Sequence, residues 1–194
     1  MKDSTRDKIL EAALKVFSEK GYLGATTKEI ATRADVAEIT LFRHFSSKEM
    51  LFEKMINTYS FLPVLKDLIP KLSEIQYEDA LIKIAEKFIE TLTERKDMIR
   101  IINFEIFRYP QKMHETYHSF IDEIIETLAS YFAKMQKRRI LKKFDPELGA
   151  RAFLGMFFSY FNMEELMMRR RYRETDTEKA VKEFIKIFVN GTMK

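Results

Sequence analysis

His114-Glu115-Thr116-Tyr117-His118 has the spacing H-E-x-x-H. On a helix, residues four apart share a face. Two imidazoles so placed can hold one zinc ion while Glu115 acts as base toward a metal-bound water. The longer form of that signature asks for Gly and His where this chain has Ile121 and Ile124, and no Asp or Glu lies between Glu126 and Asp145 as a nearby third ligand. A second constellation spans 27–48. Glu38, Ile39, Thr40, Arg43 and His44 can share the outer side of one short helix, opposite Val36, Leu41 and Phe45. A carboxylate, a hydroxyl and two nitrogen donors on one helix face suit the base edges of a major groove. Thr27 and Lys48, with the amides at helix starts, suit phosphate oxygens.

Apolar residues recur at helical spacing along almost the whole chain. Ile9, Ala12, Ala13, Val16 and Phe17 make a first stripe, which Gly21 is expected to stop. Thr26 is placed to cap a second helix with Glu29 as capping-box partner, and Ala25 and Ile30 to staple it. Thr27–Arg33, a turn at Ala34-Asp35-Val36 and a helix over Ala37–His44 form a helix-turn-helix candidate. Ser47 begins another helix, through Tyr59. Beyond Pro63 and Pro70 the spacing predicts longer helices over about 78–95, 97–108, 111–136, 146–171 and 177–191. The fold class expected is all-α: a three-helix helix-turn-helix domain over 1–46, then a larger helical domain over 47–194.

Composition narrows the classes further. The 194 residues include 0 Cys, which excludes a disulfide scaffold, a thiol nucleophile and any Cys-ligated metal. With 46% hydrophobic and 33% charged residues the chain is neither disordered nor membrane-embedded. No leader-like apolar run opens it, and a cytoplasmic location is expected. No phosphate-binding glycine loop is present, and three histidines leave few options for a Ser-His-acid arrangement. No catalytic residue, metal or cofactor is assigned.

From Thr5 to about Leu51 the chain resembles the TetR family of transcriptional regulators. The matching residues are Ile9-Leu10-x-Ala12-Ala13, Val16-Phe17, Gly21-Tyr22, Thr26-Thr27, Ile30-Ala31, Ala34-Asp35-Val36, Thr40-Leu41-Phe42-x-His44-Phe45 and Ser47-Lys48-Glu49-x-Leu51. The resemblance implies that Glu38, Ile39, Thr40 and Arg43 meet bases or nearby phosphates, and that Thr27, His44 and Lys48 hold the backbone. Four positions depart from the family pattern. Asp35 stands where Gly is usual, which Asp partly replaces by tolerating a left-handed φ. Ala37 replaces a capping Ser, Phe42 a phosphate-binding Tyr, and Ile39 a frequent Gly.

The resemblance also implies a small-molecule effector site and a dimer in the second half. Asn103, Phe104, Phe107, His118, Phe153, Phe157 and Phe161 are the candidate lining, and their aromatic character suits a small apolar or amphipathic effector. Tight core packing is the competing reading of the same residues. Gly149, Ala152, Gly155 and Ser159 form a small-residue stripe, and Phe184, Ile185, Phe188 and Val189 an apolar one, on the two helices that dimerise in the family. The stripe has a second reading, as room for neighbouring Phe rings. A double-stranded DNA operator, an effector and a second copy are the expected partners, with no membrane. The function implied is that of a repressor released by its ligand, and the zinc hydrolase remains the alternative.

Net charge is a poor guide. Residues 1–54 hold ten Lys/Arg against nine Asp/Glu, a surplus of one. Basic clusters at 134–143 and 169–173 fall near expected helix C-termini, where positive charge is favourable.

Overall fold

A computed structural model describes residues 4–72, 74–167, 171–173 and 175–194, and only the backbone of 104, 112 and 113. Every named element is helical: α1 (Thr5–Gly24), α2 (Thr27–Arg33), α3 (Glu38–His44), α4 (Lys48–Tyr59), α5 (Phe61–Leu68), α6 (Tyr77–Glu94), α7 (Lys96–Glu105), α8 (Gln111–Lys137), α9 (Pro146–Phe161) and α10 (Thr177–Thr192). Short 3-10 turns follow α5 and α7, and a π turn follows α9. The chain divides into two compact units, 1–60 with 95–120, and 61–94 with 121–194.

The first unit is built on α1. Ser4 and Asp7 close a capping box at its start. Ile9, Ala13, Val16 and Phe17 bury its inner face against Ile30, Ala31, Leu41, Phe45, Leu51, Phe52 and Met55. Met98, Ile102 and Tyr109, on or just after α7, complete this core. Gly21 interrupts α1 at the expected place. At φ 71, ψ 174 its backbone is non-helical, and one further helical turn beyond the kink runs to Gly24. That region of backbone space is essentially reserved for glycine.

The helix-turn-helix lies close to its expected bounds. Thr26 caps α2 by accepting from the Glu29 amide, while the Glu29 carboxylate pairs with Lys20 at 2.6 Å. At the far end Val36 N donates to Ala31 O (3.0 Å) and Asp35 N to Thr32 O (3.2 Å), with Asp35 at φ 55. This is a Schellman turn with aspartate at the left-handed position usually taken by glycine. Ala37 caps α3 with no side-chain bond, as its lost hydroxyl requires.

In the second unit, Leu65, Leu81, Ile84, Ala85, Leu128, Phe132, Phe153, Phe157, Phe161 and Ile185 are fully or almost fully buried. Asp145 caps α9 through the amides of Glu147 and Leu148, with Pro146 in the first turn, and Asp176 caps α10 through the Lys179 amide. One element goes beyond the sequence reading and one expectation needs correction here. The stretch after Tyr59 holds a helix, α5, because Pro63 falls in its first turn, where no amide needs an intrahelical acceptor. The helix from Pro146 does not reach Arg171. It leaves α geometry at Phe161 for a π turn over Asn162–Leu166 that turns Glu164 inward and buries it.

Candidate nucleic-acid interface

The side chains of α3 divide as their spacing predicts. Leu41 is fully buried and Val36, just before the helix, packs on the first unit's core. Ile39 is 65% and Phe42 44% exposed, and Arg43 and His44 are also exposed. Glu38 and Thr40 are half-buried. The burial of one face fixes the other as a presented surface.

Two of the expected phosphate contacts are already engaged. The Thr27 hydroxyl donates to Glu38 Oε1 at 2.6 Å, tying α2 to the first residue of α3. Lys48 Nζ donates to the Ala25 carbonyl at 2.6 Å and sits 4.4 Å from the Tyr22 ring centroid. Burial lowers the Lys48 ammonium below its ordinary pKa. Two cations beside the interface escaped the sequence reading. Arg6 lies over the Phe45 ring at 5.6 Å, and Lys28 is exposed next to Thr27. The signal for Lys28 was its place in the first turn of α2. Nothing in the sequence links Arg6 to Phe45.

Behind the interface, aromatic rings join α1, α4 and the end of α7. Tyr22 packs edge-on to Phe52 and Tyr109, with centroids 5.2 and 5.5 Å apart. Tyr22 Oη donates to Glu49 Oε1 (2.7 Å) and Tyr109 Oη to Glu105 Oε2 (3.1 Å). The Glu105 carboxylate lies so close to Gly21 that a Cβ there would approach it to 2.1 Å. Burial, then the neighbouring carboxylates, push both phenols well above their usual pKa.

The Tyr22 hydroxyl, then the backbone amide and Ser47, hold the Glu49 carboxyl below its ordinary 4.5. A carboxyl depressed by folding contributes stability above its unfolded pKa and loses it as pH falls through the folded value. Tyr22→Phe is therefore expected to cost about 1 kcal/mol at pH 7. The gap from wild type should close on acidification below about pH 4.5. Urea midpoints at pH 7 and pH 4 measure it, and a gap independent of pH refutes the assignment.

The candidate effector residues fall into both units. In the first, Asn103 is half-buried, His118 is exposed and Phe107 is 88% exposed, and the Phe104 side chain lies outside the described residues. In the second, Phe153 and Phe157 pack edge-to-face at 5.0 Å, and Phe161 is buried beside Phe158.

His114 and His118 are stacked one turn apart on α8, with ring centroids 6.5 Å apart, and Glu115 accepts from Gln111. Among the described residues no group of three or more His, Cys, Asp or Glu is placed to hold a metal ion. No helix among them is long and apolar enough to cross a membrane. Of the basic clusters, Lys142 Nζ donates to the Asn190 and Gly191 carbonyls at the end of α10. This is the helix-end role expected of that charge. Arg171 and Arg173 are exposed, while Arg169 and Arg170 lie outside the described residues.

A short exposed helix, set by a Schellman turn on a three-helix core, defines a helix-turn-helix protein with a further helical domain. Residues 9–55 match the profile described as bacterial regulatory proteins, tetR family, and residues 79–191 match that of the AefR-like transcriptional repressor, C-terminal domain. The chain belongs to the TetR family of transcriptional regulators. It is 28% identical over 190 residues to the uncharacterized HTH-type transcriptional regulator YvkB of Bacillus subtilis, covering 96% of each chain. It is 28% identical over 131 residues to IcaR of Staphylococcus epidermidis, the negative regulator of the biofilm operon icaADBC, covering 62% of this chain and 68% of that one. Among solved structures it resembles the flavonoid-responsive regulator FrrA, with a TM-score of 0.71, 27% identity and 97% of each chain covered. The family and these relatives are transcriptional regulators, and none of them supports the hydrolase reading.

Proposed function

We propose that the protein is a homodimeric repressor that binds a palindromic operator and is released by a small apolar or amphipathic effector. Residues 1–46 form the DNA-binding domain in this reading, and 47–194 bind the effector and the second copy. The observation that carries it is α3, buried along Leu41 and presented along Ile39, Phe42, Arg43 and His44. Ile39, Thr40, Phe42, Arg43 and His44 meet the duplex directly, with Arg6 and Lys28 at its phosphates. Lys48 is chiefly a support, since its ammonium is turned to Ala25 and Tyr22. IcaR supports repression and FrrA an effector with planar aromatic character.

In this reading the first unit carries the route from effector to DNA. Asn103 and Phe107 lie on α7 and the turn after it, the segment whose Glu105 and Tyr109 seat on Gly21 and Tyr22 of α1. A ligand that moves α7 moves the helix supporting α3. A coupling of about 1–3 kcal/mol changes operator affinity roughly 5–150-fold. The test is a gel shift with duplex from upstream of the protein's own coding region. It should show specific retention that Arg43→Ala with His44→Ala abolishes. No specific retention, with or without candidate effectors such as flavonoids, overturns the reading.

The small-residue stripe on α9 serves two purposes. A Cβ on Gly149 would meet the Phe144 ring at 2.5 Å, so this glycine makes room for a ring. Gly155 faces open space, with Leu148, Ala152 and Ser159 exposed around it. On α10, Ile185, Phe188 and Val189 are spent in the unit's own core, and Ile187 is left 63% exposed. A bare glycine between exposed small residues permits close approach by a second helix. Gly155→Arg is expected to leave the melting temperature of the monomer intact and shift the protein from dimer to monomer. Sedimentation that finds wild type and variant in the same state contradicts this placement of the interface.

A further inference from the structure

We propose that Glu38 reads a cytosine in each operator half-site and that Thr27 is the residue that positions its carboxylate. The inference rests on the operator-binding reading above. Glu38 is the first residue of α3, and the early residues of a recognition helix are those that meet base edges. A solvated glutamate samples three side-chain torsions. Here the Thr27 hydroxyl holds Oε1 at 2.6 Å, with both side chains half-buried. That bond uses the one proton Thr27 has to give, so its hydroxyl is not free to donate to a phosphate.

The chemistry of the remaining carboxylate oxygen then selects the base. A carboxylate only accepts hydrogen bonds. In the major groove guanine presents two acceptors, N7 and O6, and thymine presents the O4 acceptor beside a methyl group. Both repel a fixed acceptor. Adenine offers its N6 amino group next to the N7 acceptor, so attraction and repulsion compete. Cytosine offers the N4 amino group alone. Ile39, exposed beside Glu38, gives the same surface an apolar contact for a thymine methyl. A carboxylate turned to the phosphates would meet like charge.

Selection of bound duplexes from a randomised library tests this with wild type, Glu38→Gln and Thr27→Val, with the melting temperature of each recorded. Wild type should enrich a palindrome with cytosine at one fixed position of each half-site. Glu38→Gln, which both accepts and donates, should replace that base, with adenine favoured because N6 and N7 suit an amide. Thr27→Val should retain cytosine there with discrimination reduced about ten-fold, since the carboxylate is no longer held. The proposal is overturned if Glu38→Gln melts like wild type and enriches the same sequence. It is also overturned if the base that changes is not cytosine. A wild-type protein that enriches no sequence at all defeats the operator reading, and this proposal with it.

Discussion

Gly21→Ala is expected to destabilise the protein by about 2–4 kcal/mol, although it adds one methyl group. Two costs combine. At φ 71, ψ 174 a residue with a Cβ is strained by about 1–3 kcal/mol. The new methyl would also lie 2.1 Å from the Glu105 carboxylate. That carboxylate ends a flexible side chain and can swing away, at the cost of the Tyr109–Glu105 hydrogen bond, worth about 1 kcal/mol. Backbone strain is therefore the larger part. Adding Glu105→Ala should recover little, because it deletes the same hydrogen bond and leaves the backbone strain in place. Gly24→Ala is the control. It has no positive φ, and its Cβ would meet Lys20 Cβ at an ordinary 3.5 Å. That change should fall within about 0.5 kcal/mol of wild type or stabilise slightly. Chemical denaturation of the four proteins checks the set, and equal effects at Gly21 and Gly24 contradict it.

Phe132→Ala should be costlier, at about 3–5 kcal/mol. Phe132 is fully buried in the second unit, with the rings of Phe144, Phe153 and Phe188 at 6.1, 6.2 and 5.7 Å. Truncation removes the apolar burial of a whole ring, and several favourable ring edges go with it. The void left is walled by aromatic side chains on α9, on α10 and in the segment before α9, which cannot all close on it. Phe107→Ala provides the contrast at 88% exposure. It should change stability by less than about 0.5 kcal/mol, and any effect it has should be on effector binding. Denaturation midpoints at matched slope measure both. A loss below about 1 kcal/mol for Phe132→Ala would mean that the interior is not packed as described.

The helix-turn-helix was legible because its signals are local. Thr26 is followed by a helix, Asp35 occupies the left-handed turn position, and Leu41 and Phe45 face inward at helical spacing. Pairings between elements were not legible. Nothing in the spacing of Thr27 and Glu38, eleven residues apart, says that one holds the other. Lys48 reads as a surface cation until Tyr22 and Ala25 are brought beneath it. The role of Gly21 was half visible. Its freedom of φ was expected, but the Glu105 carboxylate 84 positions on was not. The end of α9 was misplaced for a different reason. Helical propensity continues past Phe161, and the π turn that buries Glu164 reflects packing within the unit. The stripe through Gly149 and Gly155 shows the same limit. One pattern in the sequence serves an internal ring at one end and open space at the other.

Genome-wide selection of the DNA bound by the native protein tests the central claim most directly. The account predicts a small number of enriched sites, each a palindrome whose half-sites lie about one helical turn apart, as two copies of α3 require. Enrichment should vanish for the protein carrying Arg43→Ala and His44→Ala. Enrichment without any shared sequence, or a shared sequence that survives those substitutions, would contradict it.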